Sequence, residues 1–166
     1  DRFGLSIEQI AGTMWISYLM AACGSILGGM FSGRLMRSRS VDTSRKLTIV
    51  LGGLLILIAF VGIITLVKEN NFMLFIYFAG MALFGFQFAI GNIQTISSDL
   101  FRGPSVGTLA GLAGTVAAIS PMIMNWFVGR ITTSSYTPAF VAITVSVVLG
   151  VISVFVLIKK IAPVRA

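Results

Sequence analysis

The chain has 166 residues, of which 57% are hydrophobic and only 10% are charged, and its mean hydropathy is +1.00. Soluble domains carry about 25% charged residues, so this composition excludes a water-soluble globular protein. The net charge of +7 could indicate nucleic-acid binding. The basic residues lie at the ends of apolar segments, however, as orientation in a membrane requires. Nucleic acid is therefore not an expected partner.

Five long segments contain no charged residue. A helix needs about 20 apolar residues to cross the hydrocarbon core of a bilayer, and each segment is long enough. Barrel strands need only about 9–11 residues, and backbone amides in lipid must be paired within the segment, so helices are expected. The predicted fold is an all-α polytopic transmembrane helix bundle. Its spans are predicted at about 9–33, 47–67, 70–98, 103–129 and 131–158.

Few side chains in these spans could carry out chemistry. Cys23 is the only cysteine, so an intrachain disulfide is impossible, and the chain has no histidine. No span interior holds a carboxylate or a cluster of nucleophiles. We therefore expect no enzyme activity, no catalytic residue, no metal site and no cofactor. The chain begins at Asp1 without a methionine, which suggests a fragment whose upstream part is missing.

Lysine and arginine are unevenly divided between the two sets of predicted loops. One side holds Arg34, Arg37, Arg39, Arg45, Lys46, Arg102, Lys159, Lys160 and Arg165. The other side holds Arg2, Lys68 and Arg130. Basic loops remain in the cytoplasm. The 34–46 loop and the C-terminus are thus predicted to be cytoplasmic and the N-terminus outside, in a multi-pass protein of the plasma (inner) membrane.

Three spans differ clearly in composition. The first is rich in small residues, including Gly24 and Gly28, so it is predicted to pack closely against another helix. A ligand-facing role is the alternative for that face. The second and fifth spans are apolar all round, with scattered Ser and Thr. We expect both to be peripheral and to lie against lipid.

The third span carries a polar face. Gln87, Gly91 and Gln94 follow four- and three-residue steps and so share one side of a helix. Side-chain amides are costly to expose to lipid, so both glutamines are predicted to line a cavity. An interhelical hydrogen bond is the alternative. Asn92 lies off this face and is predicted to make a packing contact.

The fourth span has a stripe of small residues interrupted by a proline. Pro104 is predicted to open the helix, where its missing amide hydrogen costs nothing. Pro121 lies in the middle of the span and should kink the helix one turn earlier. Asn125 follows one turn later. A contact with substrate and a contact with another helix are equal alternatives for its side chain.

Several segments carry a family resemblance. Residues 28–39, GGMFSGRLMRSR, resemble the loop signature of the major facilitator superfamily, with Gly33 in place of its aspartate. Residues 92–101, 106–114 and 135–140 resemble the anion:cation symporter family and its hexuronate-transporter branch. Arg102 stands where that branch has a proline. By this resemblance, residues 1–166 are the C-terminal transmembrane domain, supplying the eighth to twelfth of twelve helices, and the N-terminal half is missing.

The resemblance also implies a function. It predicts secondary active, proton- or cation-coupled symport of a small organic anion such as a hexuronate or related sugar acid. The implied partners are that anion, a coupling cation (the proton), the bilayer and the missing N-terminal half.

The resemblance assigns roles to six residues. It implies substrate contacts at Gln87, Gly91 and Gln94, and a cytoplasmic gating loop that contains Arg34, Arg37 and Arg39. Asn125 is a further candidate for substrate binding, from its position in the fourth span alone. The alternative function is a complete five-span scaffold or signalling subunit without transport.

Asp99 is the acidic residue closest to a span interior. It lies beside Arg102, so a structural ion pair between them is predicted. Proton symport needs a group that titrates inside the membrane. Because none lies within these spans, we expect proton coupling to reside in the missing helices.

Overall fold

A computed structural model describes residues 6–67, 71–131 and 137–161. The helices are α1 (Ile7–Leu35), α2 (Val41–Leu66), α3 (Phe72–Gln94), α4 (Ile96–Leu100), α5 (Pro104–Ile131) and α6 (Thr137–Leu157). The described residues form no strand. Five segments are long and apolar enough to cross a membrane, with α3 and α4 together forming the third. The predicted all-α fold with five spans is confirmed.

Helix α2 begins at Val41, six residues before its uncharged segment does. Ser40 caps α2 by accepting a hydrogen bond from the Thr43 amide at 3.2 Å. Such a cap satisfies one of the first free amides of a helix. The connection between α1 and α2 is therefore 36–40, shorter than the predicted 34–46. Arg45 and Lys46 consequently lie on α2 rather than in a loop.

Close packing of α1 on α3 depends on two glycines. A Cβ atom added at Gly24 would overlap the carbonyl oxygen of Phe84, and one at Gly28 would overlap that of Phe88. Small residues allow transmembrane helices to approach this closely. The predicted packing role of the small-residue face is confirmed.

The prediction that the second span lies against lipid holds for only one of its faces. Helix α2 packs on α3 through a reciprocal contact, in which a Cβ at Gly52 would lie 2.6 Å from the Gly85 carbonyl oxygen and one at Gly85 2.7 Å from that of Gly52. Its other face, including Leu54 and Ile58, is exposed. Glycines within a leucine- and isoleucine-rich run create a packing groove that average hydropathy does not reveal. Helix α6 fits the prediction better, since Ala139 alone among its described side chains is buried.

Helix α5 lies apart from the packed centre of the bundle. It begins at Pro104, as predicted, and remains helical through Pro121. Its packing contacts are chiefly with α4 and α6. Added Cβ atoms at Gly111 and Gly114 would meet nothing within 4 Å. Its small-residue stripe is therefore uncovered by the described part of the chain.

The third span is interrupted at Thr95, between α3 and α4. Three hydroxyls donate to backbone carbonyls three residues earlier: Thr95 Oγ1 to Asn92 at 3.0 Å, Ser97 Oγ to Gln94 at 3.0 Å and Ser98 Oγ to Thr95 at 2.8 Å. Such hydroxyls compete with helical amides for the same oxygens. This competition accounts for the break at the end of α3.

Candidate functional site

The polar face of α3 is open. Gln87 is half-buried, Gln94 is exposed, and a Cβ at Gly91 would meet nothing within 4 Å. Neither glutamine side chain bonds to another helix within the described residues. The face thus presents amide donors and acceptors around bare backbone, which suits hydrogen bonding to hydroxyls and carboxylates.

The structure does not gather all the predicted site residues. Asn125 is exposed on α5, whose packing is chiefly against α4 and α6, so it lies apart from the α3 face. Arg34 is in the last turn of α1, and Arg37 and Arg39 follow that helix. All three arginines are exposed. The gating role predicted for these arginines remains a prediction.

A different arginine connects the helices. Arg45 Nε lies 2.9 Å from Asp99 Oδ2, and its Nη1 donates to Asn92 Oδ1 at 3.0 Å and to Ser32 Oγ at 3.4 Å. These residues belong to α1, α2, α3 and α4. We call Ser32, Arg45, Asn92 and Asp99 the arginine network. It ties four helices together at one end of the bundle.

Asn92 is the buried centre of this network. Only 2% of Asn92 is exposed, and its Nδ2 donates to the carbonyls of Phe88 at 3.2 Å and Gly28 at 3.5 Å. The predicted packing role is confirmed. Buried amides are tolerated when their hydrogen bonds are made, as they are here.

The predicted partner of Asp99 was wrong. Asp99 does form an ion pair, but with Arg45 on α2. Helix α4 ends at Leu100, and Phe101 is extended with φ −119° and ψ 162°. Arg102 therefore leaves the helical path that would have placed it beside Asp99. Proximity along the chain was a poor guide because the helix ends between the two residues.

Sequence reasoning missed Arg45 because charged residues were assigned to loops. The signal was present in the Ser40 cap and in Asp42, an acidic residue in the first helical turn. A helix starting at Val41 places Arg45 and Gly52, seven residues apart, on the same face. That face packs on α3.

A second polar group holds the segment after α6. Lys46 Nζ lies 2.8 Å from Asp42 Oδ1 and donates to the Lys159 carbonyl at 3.0 Å. The Ile161 amide donates to Asp42 Oδ1 at 2.8 Å. We call these contacts the C-terminal anchor. Ile161 in this segment also packs with Ile49 of α2 and Ile96 of α4 in a buried apolar cluster.

These observations define a class of protein. The chain is a multi-pass α-helical membrane protein with ion-paired helix ends and an open amide-bearing face on α3. Among the described residues, no group of His, Cys, Asp and Glu could hold a metal ion.

Comparison with known proteins narrows the class. The hexuronate transporter of Escherichia coli K12 is 28% identical over 162 residues, covering 95% of this chain and 36% of the relative. The probable galactarate/D-glucarate transporter GarP of the same strain is 32% identical over 155 residues, covering 90% of this chain and 33% of the relative. The chain thus spans about a third of the length of these relatives. No family model and no solved structure matches. The predicted resemblance to hexuronate transporters is confirmed.

Proposed function

We propose that the chain is part of a secondary active transporter for sugar acids. The observation that carries the proposal is similarity, over at least 90% of the chain, to two transporters named for such substrates. In this proposal the chain supplies the eighth to twelfth helices of a major facilitator protein. The remaining helices complete the substrate site and supply proton or cation coupling. The C-terminus is cytoplasmic and the N-terminus of this segment is outside.

The α3 face is the proposed substrate contact of this chain. Two turns of helix separate Gln87 from Gln94 by about 10 Å, and Gly91 leaves the backbone bare between them. Neutral amides bind hydroxyls and carboxylates without burying a charge in the membrane. Asn125 joins this site only if the rest of the protein draws α5 towards α3.

Uptake of radiolabelled glucuronate and glucarate by the full-length protein in vesicles tests the proposal. Gln94→Ala should raise KM about tenfold, because hydrogen bonds to charged groups contribute about 1.5–3 kcal/mol. Ser146→Ala, which alters an exposed hydroxyl on α6, is the control and should leave KM unchanged. Absence of uptake of both glucuronate and glucarate would favour the scaffold function instead. If Gln94→Ala takes up substrate with an unchanged KM, the α3 face does not contact the substrate as proposed.

Coupling is tested at Asp99. Its carboxylate is already paired with Arg45, so we propose that it is not the group that binds the transported proton. Asp99→Asn should retain proton-driven accumulation once protein amounts are matched. Loss of accumulation with substrate exchange preserved would instead place coupling at Asp99.

A further inference from the structure

A cleft of about 470 Å³ opens where α2 begins and where α4 and α6 end. Val41, Phe101 and Ile161 provide its apolar lining, and Asp99, Arg102 and Lys160 its charged lining. The cleft lies at the helix ends, which is the level where polar headgroups meet hydrocarbon. It is separate from the α3 face proposed for substrate.

The cleft has an excess of positive charge. Asp99 is neutralised by Arg45 at 2.9 Å, and Asp42 behind the anchored segment is neutralised by Lys46 at 2.8 Å. Arg102 and Lys160 are exposed, and neither is within ion-pair distance of a carboxylate among the described residues, although the charge of Lys160 also acts on Asp42. Both cations are therefore available to an anion.

Hydrogen bonds of adjacent residues hold the backbone on either side of Lys160 and immediately before Arg102. Lys160 lies between Lys159, whose carbonyl accepts from Lys46, and Ile161, whose amide is bonded to Asp42. Arg102 follows Phe101, whose amide donates to the Ser97 carbonyl at 3.1 Å. A site held this way loses less conformational freedom when a ligand binds.

We propose that this cleft binds the phosphate of an anionic phospholipid headgroup. Arginine and lysine donate charge-assisted hydrogen bonds to phosphate oxygens. Basic pockets between transmembrane helices at the membrane surface suit anionic headgroups. The apolar side chains of Val41 and Phe101 give the glycerol and upper acyl carbons a surface that a soluble anion does not need. The inference does not depend on sugar-acid transport.

The test is native mass spectrometry of the purified full-length protein titrated separately with phosphatidylglycerol, with phosphatidylcholine of the same acyl chains and with inorganic phosphate. The cleft variant is Arg102→Gln with Lys160→Gln. The control is Arg37→Gln with Lys159→Gln, which removes the same charge from exposed residues outside the cleft and keeps the Lys159 carbonyl. Thermal unfolding of each variant verifies that it is folded.

The cleft variant should bind phosphatidylglycerol about 25-fold more weakly, since each of its two lost basic residues contributes about fivefold to binding of an anionic lipid. The control variant should bind as the original protein does, and phosphatidylcholine should bind weakly to all three. Equal weakening in the control would overturn the proposal, because general charge would then explain the binding. Inorganic phosphate binding as tightly as phosphatidylglycerol would also overturn it, because a soluble anion would be the occupant.

Discussion

Arg45→Gln removes the centre of the arginine network. The substitution deletes the ion pair to Asp99 and the hydrogen bonds to Asn92 and Ser32. The Arg45 and Asp99 side chains are 14% and 21% exposed. Removing one partner of a buried ion pair lowers the free energy of unfolding by about 3–5 kcal/mol, whereas an exposed ion pair contributes only about 0–1 kcal/mol to it. With this small exposure we expect a loss of about 2–4 kcal/mol in the free energy of unfolding.

Unfolding in mixed micelles with increasing dodecyl sulfate, followed by far-UV circular dichroism, measures this loss. Arg39→Gln is the matched control, because it makes the same chemical change at an exposed arginine of the preceding turn. Surface changes of this kind alter stability by about 0.5 kcal/mol or less. Equal effects of the two substitutions would refute the assignment of Arg45 to a stabilising network.

A double-mutant cycle separates the pair from its surroundings. Asp99→Asn alone leaves Arg45 without its counter-ion, so it should also destabilise the protein. Combined with Arg45→Gln, it should cost less than the sum of the two single losses, with a coupling of about 0.5–3 kcal/mol. Strict additivity would mean that the ion pair makes no net contribution.

Two further outcomes test packing and orientation. Gly28→Ala should lower the free energy of unfolding by about 1–3 kcal/mol, because its Cβ would overlap the α3 backbone, whereas Gly29→Ala meets nothing within 4 Å and should be tolerated. Equal stability of these variants in thermal unfolding would contradict the close approach of the helices. In a Cys23→Ala background, a cysteine replacing Ser40 should resist impermeant thiol reagents in intact cells and one replacing Asn71 should react. The reverse labelling pattern would invert the proposed orientation.

The sequence predicted those features of the fold that depend on composition and local spacing. The lengths of the uncharged segments predicted the five spans. The spacing of Gly24 and Gly28 predicted the face of α1 that packs closely on another helix. The burial of α2 depends on Gly52 meeting Gly85, a contact between distant residues that hydropathy does not encode. The partner of Asp99 depended on where α4 ends.

The candidate site was predictable only in part. The periodicity of Gln87, Gly91 and Gln94 placed them correctly on one face of α3, and that face is open. Asn125 is on a helix whose position depends on packing, so spacing within its own span could not relate it to α3. Arg45 was missed because a charge near the end of a span can lie on the helix as readily as in the loop.

The pairing of α1 with α3 has a consequence for biosynthesis. Helix α1 packs mainly on α3 rather than on the adjacent α2, and Arg45 precedes its partner Asp99 by 54 residues. At about 5–20 residues per second, the ribosome supplies that partner on the order of several seconds later. Until α3 is inserted, the buried hydroxyl of Ser17 also lacks its acceptor, the carbonyl of Ile76 on α3. The nascent bundle therefore cannot assemble helix by helix, and its tight packing must await insertion of the third span.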